Sequence, residues 1–194
     1  MSARGGELKD SLWKVWYDDS FHSERRIEAI TNLARNHYIV KGSADSGLIL
    51  ANLLDVFSNQ IDSDFGRERA ISLRGTAYFY LENYPKALSQ KLILLKIYQD
   101  RGAINDEANI HEWIGLIYYT QNNFEQALLY LNKARRLVPE RASGFYSNLG
   151  SIYRDIGRPD SAISLYRKTL QIIKTVPDKY VEGSTYLNLG MTYL

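Results

Sequence analysis

The chain has 194 residues and a net charge of +2, with 45% hydrophobic and 24% charged residues. Its length suits one ordinary domain or roughly four to five two-helix repeats, and its balanced charge gives no electrostatic reason to expect nucleic acid as a partner. The sequence contains no cysteine, which excludes disulfides, thiol catalysis and thiolate metal sites.

The first elements predicted along the chain are a flexible N-terminus and a single helix, together residues 1–23. Leu8, Leu12, Trp13 and Trp16 predict that residues 7–18 form this helix, which we expect to cap the array that follows. The first six residues lack the apolar stretch of a signal peptide, and no apolar stretch of the sequence is long enough to span a membrane. The compartment stays open: cytoplasmic by default, extracytoplasmic if a signal peptide has been removed.

Two series of residues then recur with the same irregular spacing. The tyrosines Tyr38, Tyr78, Tyr118, Tyr153 and Tyr193 are 40, 40, 35 and 40 residues apart, and the small residues Gly47, Ala87, Ala127 and Ala162 keep the same steps of 40, 40 and 35. Each unit reads as two amphipathic helices. A glycine precedes the tyrosine by three positions at Gly75, Gly115, Gly150 and Gly190. Because glycine weakens a helix interior, its recurrence predicts close helix contacts opposite the alanines.

This pattern resembles the tetratricopeptide repeat (TPR) family over residues 24–194, in a form with extended units of about 40 residues. The resemblance implies an all-α fold, a right-handed superhelix (alpha-alpha solenoid) of antiparallel helix pairs. The predicted units are 28–67, which is degenerate because Arg35 replaces glycine, then 68–107, 108–142, 143–182 and a truncated 183–194. The signature residues are Gly75, Tyr78, Ala87, Gly115, Tyr118, Ala127, Pro139, Gly150, Tyr153, Ala162, Gly190 and Tyr193.

No set of residues indicates catalysis, a cofactor or a metal site. His22, His37 and His111 lack metal-ligand spacing, and the glycines are separated by whole repeats rather than gathered in a phosphate-binding loop. His111 occupies the helix position of Tyr146 and Tyr186, which favours a packing role. The tyrosine series is likewise expected to pack between helices rather than to stack on bases. The chain itself is therefore predicted not to be an enzyme.

The resemblance implies that a protein or peptide segment binds in a concave groove lined by the first helix of each unit. The groove residues expected by helical spacing are Arg69, Ser72, Thr76, Phe79, Asn109, Glu112, Leu116, Tyr119, Ser147, Asn148, Ser151, Arg154 and Asn188. Trp113 reads equally as a groove anchor or as a core residue. Ser72, Glu112 and Ser147 stand where some family members have a lysine for a terminal carboxylate, so an acidic chaperone tail is not expected.

The array also resembles the N-terminal regions of bacterial signalling proteins that end in a nucleotide cyclase or a histidine kinase. The residues that carry this resemblance are Ala44-Asp45-Ser46, Tyr84–Leu88 and Pro159–Ala162. It implies a sensing or interaction region of a larger signal-transduction protein. The alternative is a free-standing adaptor or scaffold. We expect the last unit to be truncated and its end to be uncapped, which would allow self-association. The alternative is a natural terminus at which Tyr186, Leu189 and Tyr193 serve as the cap.

Overall fold

The computed structural model of the chain describes residues 3–139 and 142–193, so the first two residues of the predicted flexible N-terminus lie outside the described part. The described residues form α-helices without any strand, which confirms the all-α prediction. The helices are α1 (Ala3–Tyr17), α2 (Ser23–Asn32), α3 (Ala44–Gln60), α4 (Asp64–Tyr80), α5 (Tyr84–Arg101), α6 (Ile104–Thr120), α7 (Phe124–Leu137), α8 (Ala142–Asp155), α9 (Pro159–Ile173) and α10 (Lys179–Thr192).

Three-residue turns join the two helices of a repeat at residues 81–83, 121–123 and 156–158. The middle residue of each turn has a positive φ, at Glu82 (57°), Asn122 (58°) and Gly157 (75°). In two of the turns the next residue caps the following helix: Asn83 accepts a hydrogen bond from the Lys86 backbone N–H (3.3 Å), and Asn123 accepts one from Gln126 (3.2 Å). These caps satisfy N–H groups that have no partner inside the helix.

The chain divides into two compact units, residues 1–94 (unit 1) and residues 95–194 (unit 2). The core of unit 1 contains Trp16 of α1, Ile27 and Ile30 of α2, and Leu54 of α3, all buried. The Trp16 ring meets the Phe57 ring edge-on, with centroids 4.9 Å apart. Helix α1 is therefore part of this core. The predicted repeat boundaries stay a prediction.

The first repeat of unit 1 departs from regular α-helix where the sequence departs from the glycine pattern. After α2 the chain continues as a π-helical segment, Leu33–Tyr38, and a 3₁₀ turn, Ile39–Lys41. Arg35 lies inside the π-helical segment, where the other repeats have glycine. Ile39 is fully buried and would collide with any side chain on Gly47 of α3. The wider π-helical turn makes room for Arg35, and the small Gly47 makes room for Ile39, so the degenerate repeat can still pack.

Among the described residues of unit 2, Ala108, Ala134, Val138 and Phe145 form one cluster of buried residues, and Ala127, Leu131, Leu149 and Ile152 form another. The predicted close approach is present at Gly115, where an added Cβ would lie 3.0 Å from Leu131 Cγ and 3.3 Å from the Ala127 carbonyl oxygen. A close contact is present at Gly150 too, but it is with the Tyr166 ring rather than with the predicted Ala162.

The expectation of a close helix contact is wrong for Gly190. An added Cβ there would have nothing within 4 Å, because no described helix packs over this part of α10. None of the described helices is long and apolar enough to cross a lipid bilayer.

Candidate peptide-binding site

Unit 2 contains a cavity of about 330 Å³ between α6 and α8, which are the first helices of two neighbouring repeats. We call it the α6–α8 cavity. Glu112, Trp113 and Leu116 of α6, Leu131 of α7 and Asn148 of α8 line it. Glu112, Leu116 and Asn148 were predicted from helical spacing, Trp113 was left open between groove and core, and Leu131 was missed. The signal for Leu131 is its distance of sixteen residues from Gly115, because the glycine lets this leucine press against α6. The arrangement is a concave, largely apolar surface with a few polar groups, as ligand sites commonly have.

Trp113 combines the two roles that the sequence left open. It is half-buried, so part of its ring packs within the unit, and the remainder forms part of the cavity wall. Leu116 is 37% exposed. An aromatic ring and two leucines around one cavity can enclose an apolar side chain of a bound segment, which is the arrangement of many interface hot spots. Asn109, on the same helix, is half-buried and does not line the cavity.

Hydrogen bonds connect the predicted polar residues of neighbouring repeats. The Asn148 amide donates to Glu112 Oε1 across 3.0 Å, and the Asn188 amide donates to Ser151 Oγ across 3.3 Å. Arg154 donates to Asn188 Oδ1 across 3.3 Å. An amide has two N–H donors and a carbonyl acceptor, so one bond to Glu112 leaves Asn148 capacity for a ligand.

Tyr119 also bonds across repeats, because its hydroxyl donates to Asp155 of α8. Burial, and next the hydrogen bond to Asp155, raise the pKa of Tyr119 to about 12. This tyrosine therefore stays neutral at physiological pH and serves as a donor between α6 and α8 rather than as an acid or base.

Two of the predicted groove residues do not face solvent. Ser147 is 5% exposed and accepts a hydrogen bond from the Thr185 hydroxyl of α10 (3.1 Å). Thr76 is 4% exposed and donates to the Ser72 carbonyl of its own helix (2.9 Å). The prediction that these two side chains line a groove is wrong, because their short hydroxyls are used inside the helix packing.

The remaining predicted residues of the second repeat lie on α4 in unit 1. Arg69 is exposed, and its guanidinium lies 4.8 Å from the centre of the Phe65 ring. Ser72 and Phe79 are half-buried. Lys91 was not predicted as a buried residue. It is only 1% exposed and donates to the Ser72 carbonyl (3.3 Å) and the Thr76 hydroxyl (3.4 Å). Burial, and next the charge of Arg35, lower the pKa of Lys91 to about 7.

The tyrosine series is half-buried at Tyr38, Tyr78, Tyr118 and Tyr153. Tyr118 stacks on Tyr130, with ring centroids 5.7 Å apart and an angle of 22° between the planes, which supports a packing role. Tyr193 is the exception, because it is 60% exposed. Tyr186, Leu187 and Met191 of α10 are exposed as well.

His111 is enclosed by neighbouring side chains of unit 2. His111 is 5% exposed, with its Nε2 3.4 Å from Glu107 and its ring 5.7 Å from that of Tyr130. Burial lowers the pKa of His111, and the nearby Glu107 offsets part of this effect. No group of three or more histidine, aspartate or glutamate side chains in the described part of the chain is placed to hold a metal ion.

Comparison with known proteins gives the same architecture. Two tetratricopeptide repeat models match residues 108–141 and 141–194. The "Photosystem I assembly protein Ycf3" of Rippkaea orientalis is 31% identical over 117 residues, covering 55% of this chain and 65% of that protein, just under two thirds of its length. The nearly identical TPR-like repeats of a kinesin light chain from Podosopora anserina superpose with a TM-score of 0.67 at 13% identity, covering 87% and 85% of the two chains. BtubC (BKLC) of P. vanneervenii gives 0.62 at 21% identity, covering 98% and 81%.

The fold and the site together define a helical-repeat interaction module. Helices paired by short turns, close contacts at glycines in register, and a side-chain cavity on the first helices of neighbouring repeats are the features of this class. Residues 108–194 match tetratricopeptide repeat models, which marks this part of the chain as a protein–protein interaction module. The described helices have the fold of solved TPR-like repeats. Tetratricopeptide repeats are interaction modules rather than catalytic ones, so residues 108–194 are not themselves an enzyme.

Proposed function

We propose that this chain is an adaptor that holds a segment of another polypeptide against α6 and α8 of unit 2. One apolar side chain of the segment occupies the α6–α8 cavity. The observation that supports this proposal is the cavity of about 330 Å³ formed by Trp113, Leu116 and Leu131 beside the polar pair Glu112 and Asn148. The apolar walls provide affinity, and the polar pair provides bonds to the backbone of the segment.

An adaptor role is favoured over a sensing region of a signalling enzyme. The curated relative is named as an assembly protein, and bringing polypeptides together is what an adaptor does. The sensing role rests on short sequence resemblances at residues 44–46, 84–88 and 159–162. Reading the encoding gene beyond the codon for residue 194 would separate the two: an open frame leading to a cyclase or kinase domain would contradict the adaptor proposal.

The direct test selects ligands from a phage-displayed library of short random peptides with the whole chain as bait. We expect the selected peptides to share an apolar anchor residue. Leu116→Ala should then weaken their binding about tenfold, since truncating one buried leucine removes roughly 1–2 kcal/mol of contact energy. Leu129→Ala is the matched control, because Leu129 lies on α7 outside this cavity and is 46% exposed.

A second pair of variants examines the polar part of the site. Asn148→Ala should weaken the selected peptides several-fold, and Asn105→Ala, an exposed asparagine at the start of α6, should leave them unchanged. Equal losses for Leu116→Ala and Leu129→Ala, or failure of the library to yield any specific peptide, would contradict the proposed site.

A further inference from the structure

A second cavity, of about 230 Å³, lies in unit 1 between α2 with its π-helical continuation and α4. We call it the Arg35 cavity. Glu28, Thr31, Asn32, Arg35, Asn36 and Arg69 line it. Its lining is polar where that of the α6–α8 cavity is apolar, and it contains two arginines. The two cavities therefore suit different chemical groups.

Arg35 owes its place in this cavity to the degenerate repeat. In the later repeats the same position is a glycine, namely Gly75, Gly115 and Gly150, and faces the residue sixteen positions on. In the first repeat that residue is Ala51, which is fully buried, and the arginine is carried on a π-helical turn. Such turns occur often at functional sites, because they redirect a side chain without ending the helix.

The arginines of this cavity differ in their ion pairing from three other arginines of unit 1. Arg26, Arg67 and Arg74 each form an ion pair with an aspartate. Among the contacts of the described residues, Arg35 and Arg69 have no ion pair and no hydrogen bond, and Arg69 only lies over the Phe65 ring. Glu28, the carboxylate of the lining, is exposed and pairs with neither of them.

Around Arg35, the further cations Arg69 and Lys91 outnumber the one carboxylate of the lining, Glu28. Arg35 is partly buried, and burial, followed by the charge of Arg69, lowers its pKa. Lys91, buried in the same unit, is close enough to Arg35 for the two charges to repel. Repulsion among cations in partly desolvated surroundings is relieved by an anion, and guanidinium groups match the geometry of carboxylate and phosphate oxygens.

We propose that the Arg35 cavity binds an oxyanion, a carboxylate or a phosphate group, carried by a polypeptide segment, with Arg35 and Arg69 donating to its oxygens. The Asn32 amide is a further donor, since Asn36 donates to the Asn32 oxygen and so leaves the Asn32 N–H groups for a ligand. The inference rests on the proposed function only for the polypeptide carrier. The anion site itself is independent of the α6–α8 cavity.

The test titrates the whole chain with inorganic phosphate, while the arginine Nε–Hε resonances are followed by NMR. Phosphate should shift the signals of Arg35 and Arg69. Arg35→Gln and Arg69→Gln should each weaken binding about tenfold, as expected for the loss of one charge-assisted donor group. Arg25→Gln is the matched control: Arg25 is exposed on α2, its guanidinium lies over the Phe21 ring, and its loss changes the net charge equally.

Three capped tripeptides, with glutamate, phosphoserine or glutamine between glycines, identify the source of the anion. The glutamate or the phosphoserine peptide should bind, and the glutamine peptide should not. The peptide that binds more tightly shows whether the anion is a carboxylate or a phosphate. Binding of free phosphate but of neither charged peptide overturns the polypeptide carrier. An equal loss in Arg25→Gln, or no shift at Arg35 and Arg69, overturns the site. Arg69 is exposed, so Arg69→Gln keeps the test valid even if Arg35→Gln impairs folding. Failure here leaves the peptide selection on the α6–α8 cavity untouched.

Discussion

In unit 1 the residue that faces the glycine of the second repeat is Lys91, whereas in unit 2 the corresponding residues are Leu131 and Tyr166. All three are almost fully buried, with exposures of 1%, 3% and 0%. In both units a buried side chain thus lies against the glycine, but it is a lysine in one and apolar or aromatic in the other. The repeat constrains the space between its two helices, and the chemistry that fills the space is free to vary.

The largest effect should come from giving unit 1 the apolar filling of unit 2. Lys91→Met should raise the free energy of unfolding at pH 7 by about 2–4 kcal/mol. The pKa of Lys91 falls from 10.5 in the unfolded chain to about 7 in the folded chain. Folding at pH 7 therefore works against the protonation of this lysine, and methionine removes that cost. Lys96→Met, an exposed position on the same helix, should change stability by no more than about 0.5 kcal/mol.

The pH dependence gives the sign of the same effect. Between pH 7 and 10.5 the unfolded chain holds the Lys91 proton and the folded chain has released it, so stability should rise with pH over this window. Denaturant unfolding at several pH values should show this rise in the natural chain and its loss in Lys91→Met. A steeper or unchanged slope in the variant would contradict the assignment to Lys91.

Two glycines of the same register sharpen the comparison within unit 2. Gly150→Ala should lower stability by about 1–3 kcal/mol, since the new Cβ would lie 2.5–2.9 Å from ring atoms of the buried Tyr166. Gly190→Ala should raise stability by about 0.5–1 kcal/mol, because it meets nothing within 4 Å and alanine favours the helix. Thermal melting of the two variants checks the opposite signs, and a common sign would show that helix propensity alone governs this register.

The smallest effect concerns the turns. Asn83 and Asn123 accept a bond from the helix that follows them, whereas Arg158, at the same place in the fourth repeat, makes no side-chain cap. Arg158→Asn should therefore stabilise unit 2 by about 0.5–1 kcal/mol. The melting temperature of this variant, compared with that of Arg167→Asn at an exposed position of α9, measures the gain. No difference between the two would mean that the cap does not form.

Much of the fold was predictable because it depends on periodic residues. The in-phase tyrosines, glycines and alanines indicated helix pairs and their contacts, and the short polar segments indicated the turns. The π-helical turn around Arg35 was not predictable, because a non-glycine residue at that register can be accommodated by bending, unwinding or a smaller partner. Lys91 was missed for a related reason: lysine is usually exposed, and its burial depends on the neighbouring Gly75 across the helix pair.

The candidate site was predictable in position and less so in detail. Helical spacing predicted Glu112, Leu116 and Asn148 as groove residues and left Trp113 open, but spacing follows only one helix at a time. Leu131 enters from the second helix of its repeat. Ser147 and Thr76 are buried by contacts with other elements or with their own helix, which their positions along the chain do not reveal.

The hydrogen bond between Asn148 and Glu112 has a consequence for the heat of binding. A segment that accepts a hydrogen bond from the Asn148 N–H group that donates to Glu112 must first displace Glu112. One intramolecular hydrogen bond is then broken for each intermolecular hydrogen bond formed. Such an exchange leaves little net enthalpy. The affinity of the site would then follow the apolar side chain that leaves water, and its calorimetric signature would be a negative heat-capacity change rather than a large release of heat.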